Sequence, residues 1–278
     1  MSYKKYINSE FFRFISHKND LPEATANVIT LITGITYYIA GTVDLTGDRL
    51  NCVGVVSIIG SSPEVASIKS TGLAAGTNLL TSEFTISLRN ITLEHASIIS
   101  LDATANAGQV IDWFGVNFSN ATTAIGTIKN YDNAILNTLG FLNSGGLTFD
   151  GSIGTVAFSD TLFENATGLT SIIIPATLTI TRRFRVINSS FVTLAGETAL
   201  NVSTSATIPD EGYILSNINF GGGGTYLTGV QSTDNKARFE GCRGISNSGN
   251  IGQYYMQGNA TETTITVAGT FYKAAGTT

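Results

Sequence analysis

Large apolar residues return along this chain at one place in a recurring phrase. The phrase is plain in "WFGVNFSNAT" from Trp113, "LNTLGFLNSG" from Leu136 and "FSDTLFENAT" from Phe158. Aligned on its central apolar residue, it gives the anchors Leu93, Phe118, Phe141, Phe163, Phe191 and Phe220, spaced 22 to 29 residues apart. A degenerate further copy, "FEGCRGISNSG", begins at Phe239. Five positions before each anchor stands a second large apolar residue: Leu88, Trp113, Leu136, Phe158, Val186 and Leu215, with Phe239 in the last copy. Three positions before it stand turn formers: Asn90, Gly115, Thr138, Asp160, Asn188, Asn217 and Gly241. Two positions after it stand His95, Asn120, Asn143, Asn165, Thr193, Gly222 and Ser246.

Two apolar columns an odd number of residues apart would face opposite sides of one continuous strand. Both need burial, so the spacing predicts a corner at the turn-forming column, with an inward-facing strand on either side. A chain that repeats this turn about one axis is an all-β, right-handed parallel β-helix, a β-solenoid. Its coils stack about 4.8 Å apart, with like residues above like. The Asn-rich column after the anchor marks a second corner, where Asn side chains bond along the axis and tolerate a left-handed backbone. Leucine-rich repeats keep a stricter pattern and propeller blades run longer, so neither fits these irregular intervals.

The predicted organisation has three parts. Residues 1–27 are the most charged and contain "EFFRFI", a short apolar patch expected to form a helix turn capped by Ser9, serving as an end cap or docking segment. Residues 28–249 form the parallel β-helix. From about Asn250 the phrase stops, and residues 250–278 read as alternating strands, the start of a β-sandwich or trimerisation domain.

Composition agrees with an all-β chain. Charged residues make up 13% and hydrophobic residues 42%, and Ile, Val, Thr, Phe and Tyr outweigh helix formers. A net charge of −5 argues against nucleic acid as the partner. The basic cluster Arg182, Arg183 and Arg185 reads as a solvated strand edge. The first twenty residues lack the apolar region of a secretory signal, and no apolar stretch is long enough for a membrane helix. The expectation is a protein made in a cytoplasm, without membrane insertion. Cys52 and Cys242 are then buried free thiols, and the several N-x-S/T triplets reflect composition.

Candidate chemistry is thin. With His17 and His95 the only histidines and no close Cys pair, neither a metal nor another cofactor is expected. A catalytic triad would have to use His95, whose corner position points to a structural role. "GGGGT" at Gly221–Thr225 lacks the lysine of a phosphate loop and reads as a tight corner. Trp113 lies in an inward column, so core packing is expected of it, not sugar stacking. Asp160 and Glu164 are close in sequence, but Asp160 occupies a corner. The strongest enzymatic candidates are Asp102 and Asp150. Each lies nine residues after its anchor, two coils apart, at about 9–10 Å if the columns hold, within reach of an inverting glycosidase pair. Thr127 is the expected residue between them. Tyr254, Tyr255 or the corner loops would serve a glycan-binding module.

The passages "YYIAGTVDLTGDRL", "IDWFGVNFSN", "LNTLGFLNSGGLTFDGSIGT", "IIIPATLTITRRFRVI", "LNVSTSATIPDEGYIL" and "YMQGNATETTITVAGTFYKAAGTT" resemble those of tailed-bacteriophage virion proteins, fibre or appendage proteins with a β-helical body. The resemblance covers most of residues 30–278. It implies a homotrimer located in the virion, docked to other virion proteins through the N-terminal segment, and contacting a host cell-surface glycan distally. Such proteins often continue past "FYKAAGTT" into a β-sandwich domain. The resemblance brings no catalytic motif with it. The alternative function is a carbohydrate-degrading tailspike using Asp102 and Asp150.

Overall fold

The computed structural model describes residues 11–203, 205–208, 213–222, 224–228, 236–242, 245–246, 253–257, 262–263 and 270–273; beyond Thr225, side chains are described only at 240–242. The chain winds as a parallel β-solenoid. Each coil runs along a first face, bends, runs along a second face, bends again and returns along a third. Among the described residues, the first two faces form one 18-stranded sheet continuous around their shared corner, and the third is a nine-stranded sheet. In the coil that starts at Val110, the strand Val110–Ser119 crosses the first corner and Ala124–Lys129 forms the third face.

Both expected columns are in register. Leu93 pairs with Phe118, Phe118 with Phe141, Phe141 with Phe163, Phe163 with Phe191 and Phe191 with Phe220. The preceding column stacks Leu88, Trp113, Leu136, Phe158, Val186, Leu215 and Phe239 one upon the next. From Leu93 to Phe191 the anchors are at most 1% exposed. Their rings form a ladder. Phe141 meets Phe118 and Phe163 edge-on at centroid distances of 5.6 and 4.6 Å, and Phe163 stacks on Phe191 at 4.2 Å. These arrangements follow the ring quadrupole and add to the burial of each side chain.

The corner between the two columns works by backbone conformation. Asn90, Gly115, Thr138, Asp160, Asn188, Asn217 and Gly241 all have positive φ, between 49° and 65°. A left-handed residue there resets the alternation, so the strand after the bend again turns its large side chain inward. Asn, Asp and Gly adopt this region readily, whereas a β-branched residue is strained in it. Thr138 is the β-branched member of the column and is exposed. Replacing it with Asn is expected to raise stability by about 1 kcal/mol, read as a higher denaturant midpoint at unchanged slope.

The second corner holds Asn120 and Asn143 with positive φ, and Asn143 Nδ2 donates to Asn120 Oδ1 at 3.2 Å. Asn165 departs from this pattern. It is buried, donates to the Leu169 and Thr198 carbonyls, and accepts from the Ser171 hydroxyl. Gly222 turns with φ 94°, as the tight corner requires.

Two expectations about the ends are corrected. Phe12–Ile15 is a strand paired in parallel with Thr36–Ile39, where a helix turn was expected. Its alternation decides the matter, with Ile15 buried and Arg13 taking the column position of the buried Tyr37. A charged residue on the outermost rung ends the apolar column with a polar group. Ser9 lies outside the described residues. Lys18–Asp20 makes one 3-10 turn, Leu21 joins the core, and Lys18 Nζ pairs with Asp48 at 2.6 Å.

At the other end the ladder runs past Asn250. Gln253–Gln257 and Thr270–Lys273 continue the parallel pairing of the first face, so Met256 and Lys273 follow Phe239 in one column. These copies come only 17 residues apart, too short for the phrase found upstream.

Candidate functional site

The third face carries the candidate carboxylates. Its outer surface is polar because alternate residues point outward, and Thr81, Ser100, Thr127 and Thr148 stack in one outward column. Beside that column Asp102 pairs in register with Lys129, and Lys129 with Asp150. The sequence does bring the two carboxylates onto one column two coils apart. The residue between them is Lys129, however, and not Thr127. The loop at the second corner is two residues longer in the middle coil, since Leu101 aligns with Ile128 and Phe149, and counting from the anchor misses this.

Lys129 changes the chemistry. Its ammonium lies 3.3 Å from Asp102 Oδ2. Asp102 Oδ1 accepts from the Thr104 N–H at 2.9 Å and from the Thr104 hydroxyl. Partial burial alone would push the Asp102 carboxyl up. The hydrogen bonds from Thr104 and the charge of Lys129 outweigh it and hold the pKa below the ordinary 3.8. Asp150 Oδ1 accepts from the Gly151 N–H at 2.7 Å and from the Thr177 hydroxyl. An inverting pair needs one carboxyl kept protonated near neutrality and room for a water between the two. A cation stands in that space, and Asp102 is held ionised.

The sign of the Asp102 shift fixes a pH dependence. A carboxyl with a depressed folded pKa contributes stability above its unfolded value, and that contribution is lost as pH falls through the folded value. Lys129→Met weakens the depression, so acid unfolding, followed by circular dichroism below pH 4, is expected to begin at a higher pH. An unchanged acid midpoint would mean that the ion pair is fully screened.

A cleft of about 350 Å³ opens beside Asp102, lined by Thr104, Gly108, Asn130, Asp132, Ser152 and Thr181 among others. Its polar groups are bonded to one another. Asn130 Nδ2 donates to the Thr104 hydroxyl at 2.6 Å, and Asn130 Oδ1 accepts from the Ser152 N–H at 2.9 Å. Asp132 pairs with Arg182 at 3.0 Å and accepts from Asn133 Nδ2 at 2.9 Å. Arg182 crosses directly over Gly154, where a Cβ would lie 2.2 Å from its guanidinium. Tyr131 beneath the cleft is fully buried and donates to the Phe84 carbonyl at 3.0 Å. The lining therefore presents no exposed aromatic ring for a sugar to stack on, and its hydrogen-bonding groups are largely engaged.

The remaining candidates have structural surroundings. Trp113 is fully buried, 5.4 Å from Phe118, as core packing requires. His95 Nε2 lies 3.2 Å from the Ala74 carbonyl. Asp160 is an exposed corner residue and Glu164 points out of the second face. Both cysteines are buried, and burial pushes the thiols up to about 12 for Cys52 and about 11 for Cys242. The side chains of Tyr254 and Tyr255 lie outside the described residues. Among the described residues, no group of three His, Cys, Asp or Glu is placed to hold a metal, and no helix is long and apolar enough to cross a membrane.

No family model and no curated protein matches the chain. Among solved structures, endopolygalacturonase I from Stereum purpureum, complexed with two galacturonates, is similar at 14% identity over 93% of this chain and 99% of that one, with a TM-score of 0.24. At that score the likeness has no bearing on chemistry.

Proposed function

We propose that the chain is a structural protein of a tailed-bacteriophage virion: a rigid, homotrimeric fibre, tailspike-like or head-decorating appendage that contributes to host attachment. The observation that carries this reading is the unbroken core. Two columns of large apolar side chains stay in register from coil to coil, and the most promising carboxylate pair is divided by Lys129. A solenoid of this kind is a stiff spacer whose length is set by its coil number. The resemblance of the long phrases to those of virion proteins supports the location, and the low charge suits faces that pack against other proteins. In this reading the N-terminal segment meets other virion proteins and the distal surface meets a host glycan.

The carbohydrate-degrading alternative requires a protonated acid among Asp102 and Asp150, and the ion pair to Lys129 works against Asp102 in that role. Mass spectrometry of purified particles of the encoding phage is expected to find the chain in a copy number divisible by three. Its absence from intact particles would overturn the structural reading. Release of oligosaccharides from host surface glycan, abolished by Asp102→Asn, would establish the alternative.

A further inference from the structure

The outer surfaces of the first and second faces carry an unexpected pattern on either side of their shared corner. On the first face, Ile135 and Ile214 point outward half-buried in one column with the buried Ala157 in register above Ile135, and the half-buried Ile187 lies one column nearer the corner. On the second face, Leu142, Leu162 and Val192 point outward from the first three of the same coils, with Leu162 and Val192 each 39% exposed. Scattered exposed aliphatic residues need no explanation. Two strips that share three coils and flank one corner do, because the outward side of a solvated strand is ordinarily polar.

Each strip contains one charge. Arg185 stands in register between Ala157 and Ile214 on the first face. Its Nε is buried with no hydrogen-bond partner among the described residues. Glu164 stands next to Val192 in register on the second face, one coil below Arg185, and is exposed with no ion-pair partner among the described residues. Within one molecule the two groups lie on different faces.

We infer that these strips are two halves of one contact between copies of this chain, with the first face of one copy packed on the second face of the next and Arg185 paired to Glu164 across the boundary. The opposite charges sit within one coil of the same height, about 4.8 Å along the axis. The contact is heterologous, since two different surfaces meet. Such contacts generate rings when each copy is related to the next by rotation alone and filaments when there is also a rise. Because the two strips share three coils, neighbouring copies stay level and the assembly closes with all solenoid axes parallel. The corner residues Thr138, Asp160 and Asn188 then point toward the ring axis. This inference deepens the oligomeric part of the proposed function and rests on it.

A charge swap tests the contact. The full-length protein is measured by light scattering over a range of concentrations as wild type, Arg185→Glu, Glu164→Arg and the double variant, with thermal melting as a check that each is folded. Both sites are on the outer surface, so each variant is expected to fold. The expected result is an assembled wild type, at least tenfold weaker association in each single variant, and recovery in the double variant. An assembled wild type with unaffected single variants would overturn this contact while leaving the oligomeric reading intact. A monomeric wild type at all concentrations would overturn both.

Discussion

Phe141→Ala is expected to destabilise the solenoid by about 3–5 kcal/mol, the range for truncating a fully buried aromatic ring. Phe141 has no exposed surface and lies in the middle of the anchor ladder, edge-on to Phe118 below and Phe163 above. Its loss removes burial and both ring contacts, and leaves a void that the flanking coils cannot fill without breaking register, because hydrogen bonds fix their spacing. The loss should appear as a lower denaturant midpoint. Ser119→Ala, next to Phe118 but pointing outward, serves as the comparison and should change stability by no more than about 0.5 kcal/mol. A loss below about 1 kcal/mol for Phe141→Ala would mean that the anchor column does not form the core.

Gly126→Ala is expected to cost on the order of 3 kcal/mol by a different route, combining backbone strain with overpacking. Gly126 sits on the third face in register with Ile99 and Leu147, and its φ is 127°. A Cβ there would lie 1.8 Å from the Ile99 carbonyl oxygen, a backbone atom that cannot swing aside. Both the conformation and the space therefore exclude a side chain. Gly168→Ala separates the two terms, since that glycine also has positive φ, 77°, but has open space where its Cβ would be. Gly126→Ala should be clearly the more damaging. Equal losses would show that strain alone accounts for the cost.

The anchor columns were legible in the sequence because the first corner has fixed length. Only the stretch from the earlier apolar residue to the anchor, Leu136 to Phe141 or Phe158 to Phe163, is the same in every copy, so its columns survive alignment by eye. The third face was not legible in this way. Its inward residues Leu101, Ile128 and Phe149 follow their anchors at unequal distances, because the loop at the second corner varies and no fixed offset finds them. That same loop placed Thr127 where Lys129 stands, which made the Asp102–Asp150 pair read as more catalytic than its surroundings allow. "EFFRFI" failed as a helix because six residues cannot distinguish a period of two from one of 3.6. The outward strips around Ile187 and Leu162 had no signal at all, since an exposed aliphatic residue in a strand looks like a core residue until its direction is known.

The pairing of every coil with the one before it sets how the molecule is made. A strand on the first face finds its partner about two dozen residues upstream, and that partner is already part of a formed coil. The chain can therefore be laid down turn by turn as it leaves the ribosome, each finished turn serving as the template for the next. Throughout that growth the newest turn presents an uncovered hydrogen-bonding edge, which is a hazard when many copies are made together. Assembly then depends as much on the order of synthesis as on the final energy, and the half-built molecule, not the finished one, is the species that needs protection.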